Sequence, residues 1–138
     1  MIAYVDSTVV LRLVLNQPGR LEAWEEIDVA IRSALVEVEC LRTLDRLRLR
    51  DDVGDRQLAE RRESLHRLIA GMEIVEPSRP VLARASQPFP TSLGTLDAIH
   101  LSTALLWREE TGESLTLATH DAALALGGRA FGLPVIGV

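Results

Sequence analysis

"IAYVDSTVVLRLVL" (Ile2–Leu15) joins a run of four apolar or aromatic residues to an apolar stretch of helical length, with Asp6 at the junction. The first four residues are too few for a helix and read as a short buried strand. Ser7 can cap a helix through "TVVLRLVL", which stops near Asn16-Gln17-Pro18-Gly19. The same strand-then-helix grammar recurs. "VAIR" (29–32) precedes a long helix that Ser33 can cap and that runs to about Arg50. "EIVEP" is a third strand ended by Pro77, followed by a short helix around Val81–Ala85. "LTLAT" (115–119) leads into a short helix in "HDAALALGG", and "PVIGV" closes the chain as a last strand.

Between these units, "RLEAWEEI" reads as a second, amphipathic helix. "DDVGD" reads as a turn, with Asp55 as a cap for the next helix, which runs to Gly71. "QPFPTSLG" is the loop richest in turn residues. After it a helix runs from Leu96 to about Glu110, with Thr95 as its cap, and ends at Gly112. Strands alternating with helices predict an α/β protein, a three-layer α/β/α sandwich around a central, mostly parallel sheet of four to five strands. With 138 residues and 47% apolar content, one domain spanning residues 1–138 is expected.

Composition narrows the function. No apolar run approaches the ~20 residues a membrane span needs. The N-terminal "MIAYVDSTVV" lacks a basic region ahead of its apolar stretch, so no secretory signal is expected. The lone cysteine, Cys40, rules out an intrachain disulfide and fits a reducing cytoplasm, where a core thiol is the ordinary reading. All fifteen basic residues are arginine. Mechanisms that need a lysine, such as a P-loop or a Schiff base, are therefore excluded. The net charge of −5 argues against binding nucleic acid by bulk electrostatics, but not through bound metal and a local basic patch.

In open α/β sheets, ligands bind beyond the carboxyl ends of the strands. Asp6 follows the first strand and Asp121 the fourth, while Asp97 lies in the first turn of its helix. Each alone also suits capping or the helix dipole. Together they would form a carboxylate cluster, whose mutual repulsion a hard divalent cation with oxygen ligands relieves; Mg²⁺ or Mn²⁺ is the expectation. Thr95, Ser7 and Thr119 could donate hydrogen bonds to these carboxylates or to a phosphate. His100, three residues after Asp97, reads as partly buried packing rather than a ligand, His120 as exposed and His66 as solvated. The sequence contains no glycine-rich phosphate loop, no zinc spacing and no nucleophile elbow.

Four stretches, "YVDSTVVLRL" (4–13), "SALVEVECLRTL" (33–44), "LGTLDAIHLSTAL" (93–105) and "LATHDAALA" (117–125), resemble the four motifs of PIN-domain ribonucleases. The resemblance is nearest to VapC, the toxin half of bacterial VapBC toxin–antitoxin pairs. It covers essentially the whole chain, and "TLDAIHLSTA" is its most specific part. It implies a PIN-like fold and metal-dependent RNA cleavage with Mg²⁺ or Mn²⁺. By position, Asp6 and Asp97 match the first and third acidic residues and would be the direct metal ligands. Asp121 matches the fourth. Glu39, followed by Cys40-Leu41-Arg42, matches the second, and with Asp121 would bind a second ion or orient the water. Glu37 competes with Glu39. It points ~200° around the helix from it, between Leu41 and Leu44, and the helical wheel does not decide between them; register favours Glu39. The resemblance further implies an RNA substrate, a homodimer and a VapB-type antitoxin, and no membrane partner.

Three rivals remain. A haloacid-dehalogenase-type phosphatase wants a second aspartate where Thr8 stands, and a receiver domain wants a lysine. The third rival is a non-catalytic PIN-like module binding RNA or protein. Eight arginines between Arg42 and Arg67, interleaved with acids, form either a solvated surface or one facing RNA or antitoxin.

Overall fold

The computed structural model describes residues 1–51 and 53–138. Among them are five strands: β1 (Ile2–Val5), β2 (Val29–Ser33), β3 (Glu73–Val75), β4 (Thr116–Ala118) and β5 (Val135–Ile136). The helices are α1 (Ser7–Val14), α2 (Leu35–Asp51), α3 (Asp55–Ala70), α4 (Arg79–Ala85), α5 (Thr95–Thr111) and α6 (Ala122–Ala130). The turn expected at "DDVGD" falls partly on Asp52, outside the described residues.

The strands form one sheet in the order β3-β2-β1-β4-β5, and every pairing is parallel. β1 is central, with Tyr4 opposite Ile31 on one side and Leu117 on the other. Ala3, Tyr4 and Val5 are fully buried, as a parallel strand covered on both faces requires. Alternation along β1 divides the core. Ala3 and Val5 face a cluster with Val9, Val10, Leu44, Leu65 and Ile69, from α1, α2 and α3. Tyr4 faces the opposite cluster with Ile31, Leu101, Leu105, Leu117 and Leu124, from the strands, α5 and α6. This is the expected α/β/α sandwich, with five strands and a wholly parallel sheet.

The chain builds outward from β1 to β2 and β3, then crosses back to place β4 on the other flank of β1. Strand order therefore reverses between β1 and β4, and the crevice beyond their carboxyl ends is the natural ligand position of such a sheet. Two glycines tighten the layer beside it. A Cβ on Gly128 would stand 2.6 Å from Leu117 Cδ2, and one on Gly127 would stand 3.1 Å from Leu101 Cδ2. α6 can thus lie close against β4 and α5.

One element differs from expectation. "RLEAWEEI" forms a short 3₁₀ helix, Glu22–Glu26, with no fully buried residue of its own. Leu21, just before it, is the buried anchor, with Trp24 and Ile27 packed alongside. Three glutamates in five positions leave too little apolar face to extend an amphipathic helix.

Candidate active site

Asp6 ends β1 and starts α1. It is the N-cap of α1, with φ −90° and ψ 174°, and its Oδ1 accepts from the Val9 amide at 3.3 Å. Ser7, expected as the cap, is instead the first helical residue, because the extended backbone a cap requires falls at Asp6. Capping does not exhaust the carboxylate. Thr8 Oγ1 donates to Oδ1 at 2.6 Å, and Thr119 Oγ1 donates to Oδ2 at 2.8 Å. The residue is 3% exposed. Burial pushes its carboxyl pKa up, while the Thr8 and Thr119 hydrogen bonds and the nearby His100 pull the other way.

Asp121 caps α6 through Oδ1, which accepts from the Leu124 amide at 2.8 Å. Its own amide donates to Thr119 Oγ1 at 2.9 Å, so Thr119 joins Asp6 to Asp121. Asp97 lies in the first turn of α5, where the dipole favours a carboxylate. The cap of α5 is Gly94, not Thr95, which has already turned into the helix and is exposed. Asp97 is half-buried. Its pKa is raised, first by desolvation and then by the negative charge of Asp121, with Asp6 and Glu39 adding to it and His100 opposing. The four acids therefore share one electrostatic environment.

Glu39 reaches the crevice from α2. Its Oε2 accepts from Ser7 Oγ at 3.3 Å, and its Oε1 lies 2.6 Å from His100 Nε2. Glu37 turns elsewhere: it faces His66 at 3.9 Å and lines a separate groove with Val38, Leu41 and Arg42. The four carboxylates of Asp6, Glu39, Asp97 and Asp121 line one open cavity of ≈ 410 Å³, together with Ser7, Thr8 and His100. Among the described residues, no arginine lines it.

The donor set fits a hard divalent cation. It consists of carboxylate oxygens drawn from four chain segments; burial raises the pKa of Asp6, and burial together with the charge of Asp121 raises that of Asp97. Among the described residues, no group of three or more His, Cys, Asp or Glu side chains is placed to hold a metal ion.

The expected donations by Ser7 and Thr119 are present, while Thr8, expected only as a departure from the dehalogenase pattern, is a direct partner of Asp6. His100 is buried as expected, but it also bonds Glu39 and Tyr4. Its shared face with Asp97, three residues away, was the available signal. His120 is half-buried rather than exposed: its amide donates to Thr8 Oγ1 at 2.9 Å, and its Nδ1 lies 2.7 Å from the Gly137 carbonyl. His66 is exposed, and Cys40 is a core thiol whose pKa burial pushes up to about 12. No helix among the described residues is long and apolar enough to cross a membrane.

The sequence model of the PIN domain family matches residues 3–126. The chain is 28% identical over 131 residues to Ribonuclease VapC47 of Mycobacterium tuberculosis (strain CDC 1551 / Oshkosh), covering 94% of this chain and 91% of that one. Among solved structures it is similar to FitAcB from Neisseria gonorrhoeae, with a TM-score of 0.71, 21% identity and coverage of 98% and 96% of the two chains. It is also similar to a toxin–antitoxin complex from Klebsiella pneumoniae, with a TM-score of 0.68, 18% identity and coverage of 97% and 95%. At these identities the two structures bear on the fold alone.

Proposed function

The chain belongs to the PIN-domain family, and from that membership we propose that residues 1–138 form one PIN domain acting as a metal-dependent endoribonuclease, the toxin of a type II toxin–antitoxin pair. The observation that carries the reading is the meeting of Asp6, Glu39, Asp97 and Asp121, from four separate segments, on one cavity at the switch point of the sheet. The similarity to Ribonuclease VapC47 along nearly the whole chain supports it.

The reaction is hydrolysis of an RNA phosphodiester. Asp6 and Asp97 would hold Mg²⁺ or Mn²⁺. When bound, the cation supplies Lewis acidity and neutralises charge that builds on the phosphoryl oxygens. Thr8 and Thr119 fix the Asp6 carboxylate by donating to its two oxygens. Glu39 and Asp121 flank the same cavity. They would bind a second ion or orient the attacking water for in-line displacement. Ser7 holds one oxygen of Glu39, and Thr95, at the exposed start of α5, can donate to a substrate phosphate.

The proposed partners are RNA, a VapB-type antitoxin and a second copy of the chain. An antitoxin arginine or lysine entering the acidic cavity would inhibit by competing with the cation. The test is incubation of purified chain with RNA in EDTA, Mg²⁺ and Mn²⁺. Internal cleavage only with metal supports the nuclease. Tight binding without cleavage in any buffer would favour a non-catalytic PIN-like module.

A further inference from the structure

His100 lies within α5, 2% exposed, where an imidazole must find partners for both ring nitrogens. It finds them on two other elements. Nδ1 is 2.7 Å from the hydroxyl of Tyr4 in β1, and Nε2 is 2.6 Å from Oε1 of Glu39 in α2. The Tyr4 and His100 rings also meet edge to face, with centroids 6.0 Å apart. Tyr4 is fully buried, so its phenol is neutral and keeps its hydrogen. The simplest complete pairing then has Tyr4 O–H donating to Nδ1 and Nε2–H donating to the Glu39 carboxylate.

Glu39 needs such a tether. It has three rotatable bonds, its side chain is 20% exposed, and it faces Asp6, Asp97 and Asp121 across the cavity. Left alone, a carboxylate so placed would swing towards solvent and away from its like-charged neighbours. Ser7, at 3.3 Å, is a long and weak restraint, whereas the 2.6 Å contact to a buried ring is short and rigid.

We propose that Tyr4 and His100 are positioning residues: the buried hydrogen-bonded relay from Tyr4 through His100 sets the direction in which Glu39 presents its other oxygen, Oε2, to the acidic cavity. This rests on the reading of that cavity as the active site. The relay ties the carboxylate to the middle strand of the sheet, the most enclosed part of the molecule, so the geometry of Glu39 does not depend on the exposed face of α2.

The test combines spectroscopy with a mutant cycle. ¹⁵N correlation of the wild-type imidazoles, without metal, should find His100 with its hydrogen on Nε2 and none on Nδ1. His100→Leu should lower kcat for metal-dependent RNA cleavage by ~10–100-fold with KM unchanged, and His100→Gln, whose amide can still donate to Glu39, should recover most of it. In a Glu39→Gln background, His100→Leu should change the rate less than about 2-fold, because its partner is already disabled. Tyr4→Phe removes one buried oxygen and should shift the His100 resonances while the chain stays folded. If His100→Leu does not fold, Tyr4→Phe and the tautomer measurement decide. A wild-type hydrogen on Nδ1 alone, His100 effects that multiply undiminished in the Glu39→Gln background, or full activity of His100→Leu would each overturn the proposal. An inactive wild-type chain would instead overturn the nuclease reading, leaving the tautomer measurement to judge the relay.

Discussion

Thr119 and Asp6, 113 residues apart in sequence, are joined by a 2.8 Å hydrogen bond at the edge where β4 and β1 end side by side. The Thr119 hydroxyl donates to the buried Asp6 carboxylate and accepts from the Asp121 amide, so one side chain joins two corners of the acidic cavity. Thr119→Val keeps the volume and removes both bonds. We predict a loss of about 2–3 kcal/mol in urea unfolding at pH 7, since a buried carboxylate and an amide each lose a partner. A loss below ~0.5 kcal/mol would mean that water replaces the hydroxyl freely.

Gly137 closes the same edge from the other side. Its φ is +101°, and a Cβ there would stand 2.4 Å from the Thr119 carbonyl oxygen. Gly137→Ala therefore combines backbone strain with a clash against main chain. It should cost about 2 kcal/mol or more and broaden the amide resonances of Thr119 and His120. An alanine variant with wild-type stability would show that the chain after β5 moves easily.

The acids give a pH signature. The folded-state pKa of Asp97 is raised, chiefly by desolvation and by Asp121. The folded chain then holds this proton more tightly than the unfolded chain. The stability so contributed is complete below the ordinary carboxylate range, near about pH 4, and is lost as pH rises through the raised folded value. Asp6 acts in the same direction. In EDTA, Asp97→Asn should match wild type at acid pH and become the more stable of the two towards neutrality. The gap should shrink in high salt, which screens the repulsion from Asp121. A gap of the opposite sign would show that ionised Asp97 is stabilised by something other than its neighbours.

On α3, Arg56 pairs with Glu60 at 3.1 Å and Arg67 with Glu63 at 2.9 Å, so part of the arginine-rich surface is neutralised within its own helix. Arg61 and Arg62 are not in those pairs. Reversing both to glutamate should leave the melting temperature nearly unchanged and weaken binding of RNA or of the antitoxin in titrations at moderate salt. Unchanged binding of both would make this face an ordinary solvated surface.

Much of this architecture was legible from period and punctuation. "IAYVDSTVVLRLVL" carries its strand-to-helix junction openly, and the same grammar at "LTLATHDAALAL" places Asp121 at the same edge as Asp6. The caps were misplaced by one residue at Ser7, Thr95 and Asp55, where Asp6, Gly94 and Gly54 hold the position. Composition leaves the cap register ambiguous when two eligible residues are adjacent, and only φ and ψ decide. Glu39 and Glu37 could not be separated on a helical wheel, because their surroundings are set by α1, α3 and α5 rather than by α2 itself. His100 read as packing because its partners lie 96 and 61 residues away, a distance that no local pattern spans.

The account turns on whether Asp97 is there for chemistry or for the end of α5. Asparagine is nearly isosteric, and the dipole contribution is only ~0.3–1 kcal/mol, so Asp97→Asn should fold and melt in EDTA at least as high as wild type. The deciding measurement is the rate of RNA cleavage by this variant and by wild type at one fixed Mg²⁺ or Mn²⁺ concentration. The account predicts a loss of at least ~100-fold in the folded variant, the scale of several kcal/mol of transition-state stabilisation. Cleavage by Asp97→Asn at near wild-type rate would contradict it, and the acidic cavity at the head of β1 and β4 would lose its claim to be the active site.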